Sequence, residues 1–160
     1  MTGIEVASRH DDDIERTSVL FVCTHNSARS IMAEALLREK GGHAYEAFSA
    51  GTEAAEVRPL TLQVLREAGI PTQGLRSKSF EEYRGRTFDY VITVCDSARQ
   101  ACPVFPGEGQ RCHWGYDDPS AATGSERERL AAFRTIFSAI SERIDLFINA
   151  TDRRQLHDGG

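Results

Sequence analysis

Short apolar runs alternate with longer amphipathic stretches along this chain. Residues 18–22 form an apolar, β-branched run of the kind that fits a buried parallel strand. The same reasoning predicts further strands over 45–50, 88–94 and 111–114. Residues 96–110 are rich in proline and glycine, which predicts a loop with one helical turn.

Apolar residues at helical spacing predict three helices, over about 31–40, 59–68 and 125–149. Pro59 suits the first turn of the second helix, and Gly41 and Gly69 suit the ends of the first two. Ser125 and Glu128 have the spacing of a capping box at the start of the third helix.

Strands that alternate with helices indicate an α/β fold. We predict a single three-layer domain over residues 18–150, with a four-stranded parallel sheet and helices on both faces. Residues 1–17 are polar and acidic, and residues 151–160 are polar, so both are expected to be disordered tails. Ligands of such sheets bind beyond the carboxyl ends of the strands, which is where residues 23–30 lie.

Composition and charge narrow the function classes. The chain has 160 residues, 40% of them hydrophobic and 27% charged, which is typical of one ordinary globular domain. Its net charge of −5 argues against a nucleic-acid-binding protein, and five of the acidic residues lie within 1–17. No apolar run of about 18 residues and no signal-peptide core is present. We therefore expect a cytoplasmic monomer that does not contact membranes.

The segment 23–30 has the features of an anion-binding loop with a nucleophile. Cys23 ends a strand, and Arg29 and Ser30 open the following helix, where the backbone amides and the helix dipole favour an anion. Arg29 adds a planar fork for a tetrahedral oxyanion, Ser30 can donate to the Cys23 thiolate, and Asn26 can brace the loop. The alternative is a buried, inert cysteine at a strand end. The residues expected to surround the anion are Thr24, His25, Asn26, Ser27, Ala28 and Arg29.

The chain resembles the low-molecular-weight tyrosine phosphatase superfamily and, more closely, the arsenate reductases that share its fold. Residues 19–30 match the oxyanion loop of the superfamily, and the likeness extends from residue 18 to about 149. It continues in residues 49–52, 77–78, 91–96, 102–103 and 113–119. Three positions depart from the phosphatase pattern: His25 replaces a glycine, Ala28 replaces a second loop cysteine, and Ser120-Ala121 stands without the tyrosines of a phosphotyrosine pocket.

The resemblance implies that arsenate is reduced to arsenite, for arsenic detoxification. Cys23 attacks arsenate, Asp118 acts as the general acid, and Cys95 and Cys102 relay the oxidation to a surface disulfide. Packing roles for Cys95 and Cys102, or a zinc site, stay open as alternatives. Cys112 is expected to be structural, or to replace Cys102. An Asp-Pro turn without a catalytic role is the alternative for Asp118.

The resemblance also suggests partners and a cation site. No cofactor is expected to be bound, and an external thiol reductant is expected: thioredoxin, glutaredoxin with glutathione, or mycothiol. Phosphate and sulfate are expected to compete with arsenate. No structural metal site is predicted, but Asn26, Glu34 and Ser49 match positions that bind potassium in some relatives. Lys78 lies where those relatives have an acidic ligand, so that its ammonium either replaces the ion or belongs to an ordinary surface lysine.

Two other functions remain open at this stage. The same loop suits a low-molecular-weight phosphatase that acts on phosphotyrosine or small phosphate esters. It also suits an oxyanion-binding or phosphocysteine carrier module, which is not an enzyme. A carrier needs neither Asp118 nor the Cys95–Cys102 pair, whereas an arsenate reductase needs all three.

Overall fold

The sheet has four parallel strands, as the sequence predicts. A computed structural model describes residues 16–95 and 109–152. Its strands are β1 (Thr17–Cys23), β2 (Tyr45–Gly51), β3 (Tyr90–Thr93) and β4 (Gln110–His113). Their order across the sheet is β2-β1-β3-β4, and every neighbouring pair is parallel.

Strand β3 is shorter than the predicted 88–94 because its first residues serve another purpose. The Asp89 carboxylate accepts hydrogen bonds from the backbone N–H of Ser18 at 2.9 Å and from its hydroxyl at 3.3 Å. Asp89 therefore holds the start of β1 with its side chain rather than with a ladder hydrogen bond.

Three α-helices and three 3₁₀ turns complete the described fold. The helices are α1 (Arg29–Gly41), α2 (Pro59–Glu67) and α3 (Glu126–Thr151). The 3₁₀ turns are Gly42–Ala44, Phe80–Tyr83 and Pro119–Ala121. Ser125 and Glu128 form the predicted capping box. Helix α3 runs slightly beyond its predicted end, where the Thr151 hydroxyl lies 2.7 Å from the Tyr45 hydroxyl.

Alternate residues of β1 face two apolar clusters. Val19 and Phe21 pack into the larger cluster, which contains residues of all three α-helices. Leu20 and Val22 pack into a smaller cluster on the other face, against which Phe80, from a 3₁₀ turn, is packed. The predicted single-domain α/β class is thus confirmed. Among the described residues, however, the α-helices pack on one face of the sheet and a 3₁₀ turn packs against the other, whereas helices are predicted on both.

Several expectations lie outside the described residues. They concern the two tails, apart from the few tail residues adjoining the domain, and most of the proline-rich segment, including Cys102. Within residues 16–95 and 109–152, no helix is both long and apolar enough to cross a membrane.

Candidate active site

Cys23 lies at the point where β1 gives way to an anion-binding loop. Its thiol is buried, with the residue 2% exposed. The Ser30 hydroxyl lies 2.9 Å from the Cys23 Sγ, and the backbone N–H of Asn26 donates to the same sulfur at 3.3 Å. Two hydrogen-bonding groups therefore converge on one buried sulfur at the start of the loop.

The carbonyl groups of the loop point outward, toward residues 53–61. Thr24 O accepts from the N–H of Glu53 at 2.9 Å, and Ser27 O accepts from the N–H of Arg58 at 3.1 Å. His25 O accepts from the Ser77 hydroxyl at 3.0 Å. With its carbonyls held on the outside, the loop presents backbone N–H groups to its inner side, as an oxyanion requires.

Two backbone positions make this tight loop possible. Asn26 has a φ of 53°, and it is the non-glycine residue with positive φ in the part of the chain that the structure describes. Gly51, at the end of β2, packs directly against the loop. A Cβ atom at Gly51 would lie 2.5 Å from the carbonyl oxygen of Thr24, so only glycine fits there.

Arg29 is the first residue of α1, and its guanidinium contacts Tyr116 and Asp118 within the described part of the chain. The residue is 3% exposed. Its Nη1 donates to the carbonyl oxygen of Tyr116 at 3.0 Å, and its Nη2 lies 3.7 Å from Asp118 Oδ2. The other carboxylate oxygen of Asp118 accepts from the N–H of Ser120 at 2.9 Å. The fold therefore brings Asp118 to the loop from a position 89 residues further along the chain than Arg29.

A cavity of about 670 Å³ lies in front of the loop. His25 and Ser27 line it on the loop side, Arg58 at the start of α2, and Asp118 and Ser120 on the opposite side. We call this cavity the vestibule. A tetrahedral inorganic anion fills only a small part of it, and its lining combines polar and apolar residues.

The three residues matched to a potassium site do lie together, around the ammonium of Lys78. Lys78 Nζ lies 3.4 Å from Asn26 Oδ1, 3.2 Å from Ser49 Oγ and 3.7 Å from Glu34 Oε1. Lys78 is 5% exposed, so it is not a surface lysine. Burial lowers the pKa of Lys78, and the nearby Glu34 carboxylate opposes that shift. These residues do not fit a potassium ion, because an amine already occupies the space between their oxygens.

The relay cysteines are only partly within the described structure. Cys95 follows β3, the neighbour of β1 that carries Cys23, and it is 0% exposed, with its Sγ 3.9 Å from Val22 O. Cys112 lies in β4 and is partly buried. Cys102 lies outside the described residues. None of the three described cysteines forms a disulfide, and residues 16–95 and 109–152 contain no cluster of three metal-ligating side chains.

Sequence reasoning missed the groups that orient the loop from a distance. The Tyr116 carbonyl that receives Arg29 has no signal in the sequence, because any residue provides a backbone oxygen. The Thr61 hydroxyl, which donates to Ser27 O at 3.0 Å, sits on what the sequence shows as an ordinary amphipathic helix. Its complete burial is the feature that marks it.

Residues 18–156 match the family described as low molecular weight phosphotyrosine protein phosphatase. The chain belongs to this family. The match covers every described element that contributes to the site, so the resemblance noted from the loop extends through the whole domain.

Several curated relatives that match this chain are named arsenate reductases. One from Bacillus licheniformis is 37% identical over 134 residues, which cover 84% of this chain and 96% of that protein. One from Bacillus subtilis is 34% identical over the same shares of the two chains. These relatives support the reductase branch of the resemblance.

Solved structures show the same fold. An arsenate reductase in a phosphate-binding state has a TM-score of 0.71 and 28% identity, and the match covers 84% of this chain and 98% of that one. A thioredoxin-dependent arsenate reductase of Corynebacterium glutamicum has a TM-score of 0.56 and 30% identity, covering 81% of this chain and 62% of that one.

Proposed function

We propose that this protein is an enzyme that reduces arsenate to arsenite, with Cys23 as the nucleophile and an external thiol as the source of electrons. The observation that supports this most is the placement of two thiols at the ends of adjacent strands. Cys23 lies in the oxyanion loop, and Cys95 follows the neighbouring strand. A phosphatase needs the first thiol alone, whereas a reductase needs both.

The first step is nucleophilic substitution at arsenic. The Cys23 thiolate forms a sulfur–arsenic bond while one oxygen leaves as water, protonated by Asp118 in its acid form. Loop amides and Arg29 hold the remaining oxygens. Because Arg29 contacts Asp118 before the anion binds, we expect the incoming anion to take over that guanidinium.

The second step transfers electrons to arsenic. The Cys95 thiolate attacks the sulfur of Cys23, a disulfide forms, and the sulfur–arsenic bonding pair stays on arsenic, which leaves as arsenite. Cys102 then attacks Cys95, which releases the Cys23 thiolate and leaves a Cys95–Cys102 disulfide. Cys95, which follows β3, is fully buried. Its thiol must therefore move for these two exchanges to take place.

We propose a dithiol protein such as thioredoxin as the final reductant. The similarity to a thioredoxin-dependent arsenate reductase supports this choice. Glutaredoxin with glutathione, or mycothiol, would leave the steps at Cys23 unchanged and replace only the last exchange. A coupled assay with arsenate and each donor in turn distinguishes them.

A single-turnover experiment tests the relay. The Cys102→Ser variant, treated with arsenate without a reductant, should accumulate a Cys23–Cys95 disulfide, detected by mass spectrometry of the digested protein. Cys23→Ser should form no disulfide and no arsenite. Cys112→Ser is the matched control and should turn over like the unmodified protein.

The relay is wrong if Cys102→Ser reduces arsenate repeatedly without the Cys23–Cys95 species. A Cys23–Cys112 disulfide instead would assign the relay to the other thiol.

Phosphate-ester hydrolysis is the second candidate, because the family itself is one of phosphatases. The same loop, Arg29 and Asp118 suffice for it. Comparing arsenate-dependent consumption of a thiol reductant with hydrolysis of an aryl phosphate decides which activity dominates. Inorganic phosphate and sulfate should inhibit both activities, since these two anions need the same loop as arsenate and the aryl phosphate.

A further inference from the structure

A buried ammonium group lies directly behind the Cys23 loop. Lys78 Nζ donates to Arg76 O at 2.7 Å and Ser49 Oγ at 3.2 Å, and it lies 3.4 Å from Asn26 Oδ1. These three partners are all oxygen atoms, one for each proton of an ammonium group. The side chain of Glu34 completes the shell with a negative charge.

This lysine decides which way the Asn26 amide faces. Asn26 Oδ1 accepts from the backbone N–H of Lys78 at 2.8 Å, and the ammonium lies on the same oxygen. Both groups are donors, so the carbonyl oxygen of the amide must face Lys78 and the NH₂ group must face the other way. The NH₂ group then donates to Ser30 Oγ at 2.7 Å and to Ser49 Oγ at 2.9 Å.

The orientation of Asn26 in turn frees the Ser30 proton for a hydrogen bond to Cys23. Because Ser30 Oγ accepts from Asn26, its own proton is available for Cys23 Sγ, 2.9 Å away. Ser30 can therefore act as a donor to Cys23 Sγ, and the sulfur also receives a hydrogen bond from the Asn26 N–H. Both groups lie within hydrogen-bond distance of the sulfur that acts as the nucleophile of the proposed function.

We infer that Lys78 is a positioning residue that replaces a dissociable monovalent cation and orients the Asn26–Ser30 hydrogen bonds toward the Cys23 thiolate. The inference rests on Cys23 being the nucleophile of the proposed function. Its consequence is that the reactivity of Cys23 in this chain does not depend on potassium.

The experiment measures how fast Cys23 reacts with iodoacetamide at one fixed pH, by mass spectrometry of its peptide. It uses the full chain in buffers that contain sodium, potassium or ammonium at equal ionic strength. Unmodified protein should react at the same rate in all three. Lys78→Ala should react at least about tenfold more slowly in sodium, the size expected when charge-assisted hydrogen bonds are lost. Potassium or ammonium should restore a substantial part of that rate.

Two further variants keep the test decisive. Lys78→Met retains most of the buried alkyl chain but leaves no space for an ion, so its rate should be low and should not respond to cations. Lys40→Ala is the matched control, because Lys40 pairs with Asp145 on the surface, at 3.0 Å, and lies away from the loop. Its alkylation rate should be unchanged.

Three results would overturn the inference. They are a rate for Lys78→Ala equal to that of the unmodified protein, a loss of rate that no cation restores, and potassium activation of the unmodified protein. The measurement of potassium activation uses the unmodified protein, so it does not depend on whether any variant folds. Because alkylation requires no arsenate, normal alkylation without arsenate reduction would instead contradict the proposed function.

Discussion

At the scale of the residue, the site depends on a few buried polar side chains that are held by hydrogen bonds and ion pairs. Arg29 is held by the Tyr116 carbonyl and the Asp118 carboxylate, so its fork is oriented before an anion arrives. Such preorganisation matters because reorienting charged groups during the reaction is energetically costly. In the proposed function these local groups bind the anion, so the net charge of −5 does not prevent binding.

His25 is the loop residue whose side chain faces outward, and it gives a prediction about specificity. The residue is exposed, lines the vestibule, and has its Nδ1 3.4 Å from Glu53 O. The aryl leaving group would occupy the vestibule, which the smaller side chain of His25→Ala widens. We therefore expect kcat/KM for an aryl phosphate to rise several-fold in this variant. Arsenate reduction should change less than about twofold, because the anion contacts backbone amides and Arg29. Steady-state assays with both substrates measure this.

An equal change for both substrates would contradict this role for His25. His43→Ala is a suitable control, since His43 lies in the turn after α1 and does not line the vestibule. Neither activity should respond to that substitution.

At the scale of the element, the loop is shaped by the end of β2 and by the residues that follow it. Residues 53–61 take up the outward carbonyls of Thr24, His25 and Ser27 with backbone and side-chain donors. Gly51 begins this contact, because the loop lies against its Cα atom. The anion site therefore belongs to two consecutive strand ends rather than to one loop.

Gly51→Ala tests this dependence. The added methyl group would lie 2.5 Å from Thr24 O and 3.0 Å from both Cys23 O and Asn26 N, which are all backbone atoms that must shift. We expect a loss of about 1–3 kcal/mol in the free energy of unfolding and at least a tenfold loss in kcat/KM for arsenate. Urea denaturation and steady-state kinetics measure the two effects.

Ser125→Ala separates loss of stability from loss of shape. It removes the capping box of α3 and should cost about 1 kcal/mol, with little change in kcat/KM, since Ser125 does not line the vestibule. If Gly51→Ala behaves like Ser125→Ala, the contact at Gly51 does not shape the site.

At the scale of the whole molecule, sheet order explains the pairing of thiols. Parallel strands β1 and β3 are neighbours although 66 residues lie between the end of β1 and the start of β3. Cys23 ends β1, and Cys95 follows β3. Cys95 is fully buried whereas Cys112 is partly exposed. The resting state therefore protects the second thiol of the proposed relay until a movement exposes it.

This burial predicts an order of chemical modification. In the unmodified, reduced protein, iodoacetamide should label Cys112 at least about tenfold faster than Cys95, because access to a buried thiol requires local opening. In urea the two rates should become similar, which controls for intrinsic reactivity. Quantitative mass spectrometry of the two peptides gives the rates. Equal rates in the native protein would show that Cys95 is already accessible, and the required movement would be absent.

The pattern of the chain anticipated features that depend on neighbouring residues. Strand and helix positions, the Ser125 capping box and the succession of Cys23, Arg29 and Ser30 all follow from local sequence. β3 was predicted too long because Asp89 and Ser18, 71 residues apart, interact through side chains. Cys102 and the relay through it stay predictions.

The sequence by itself determined the α/β class, the strand–loop–helix that carries the nucleophile, and the likeness to one family, because each depends on periodicity or on residues close in the chain. Only the tertiary structure decided that Lys78 is buried rather than exposed, that a distant carbonyl aims Arg29, and that Cys95 follows the strand beside Cys23. These facts arise from packing between elements far apart in sequence. Residue types alone do not encode which of many surfaces a lysine or a backbone oxygen will meet.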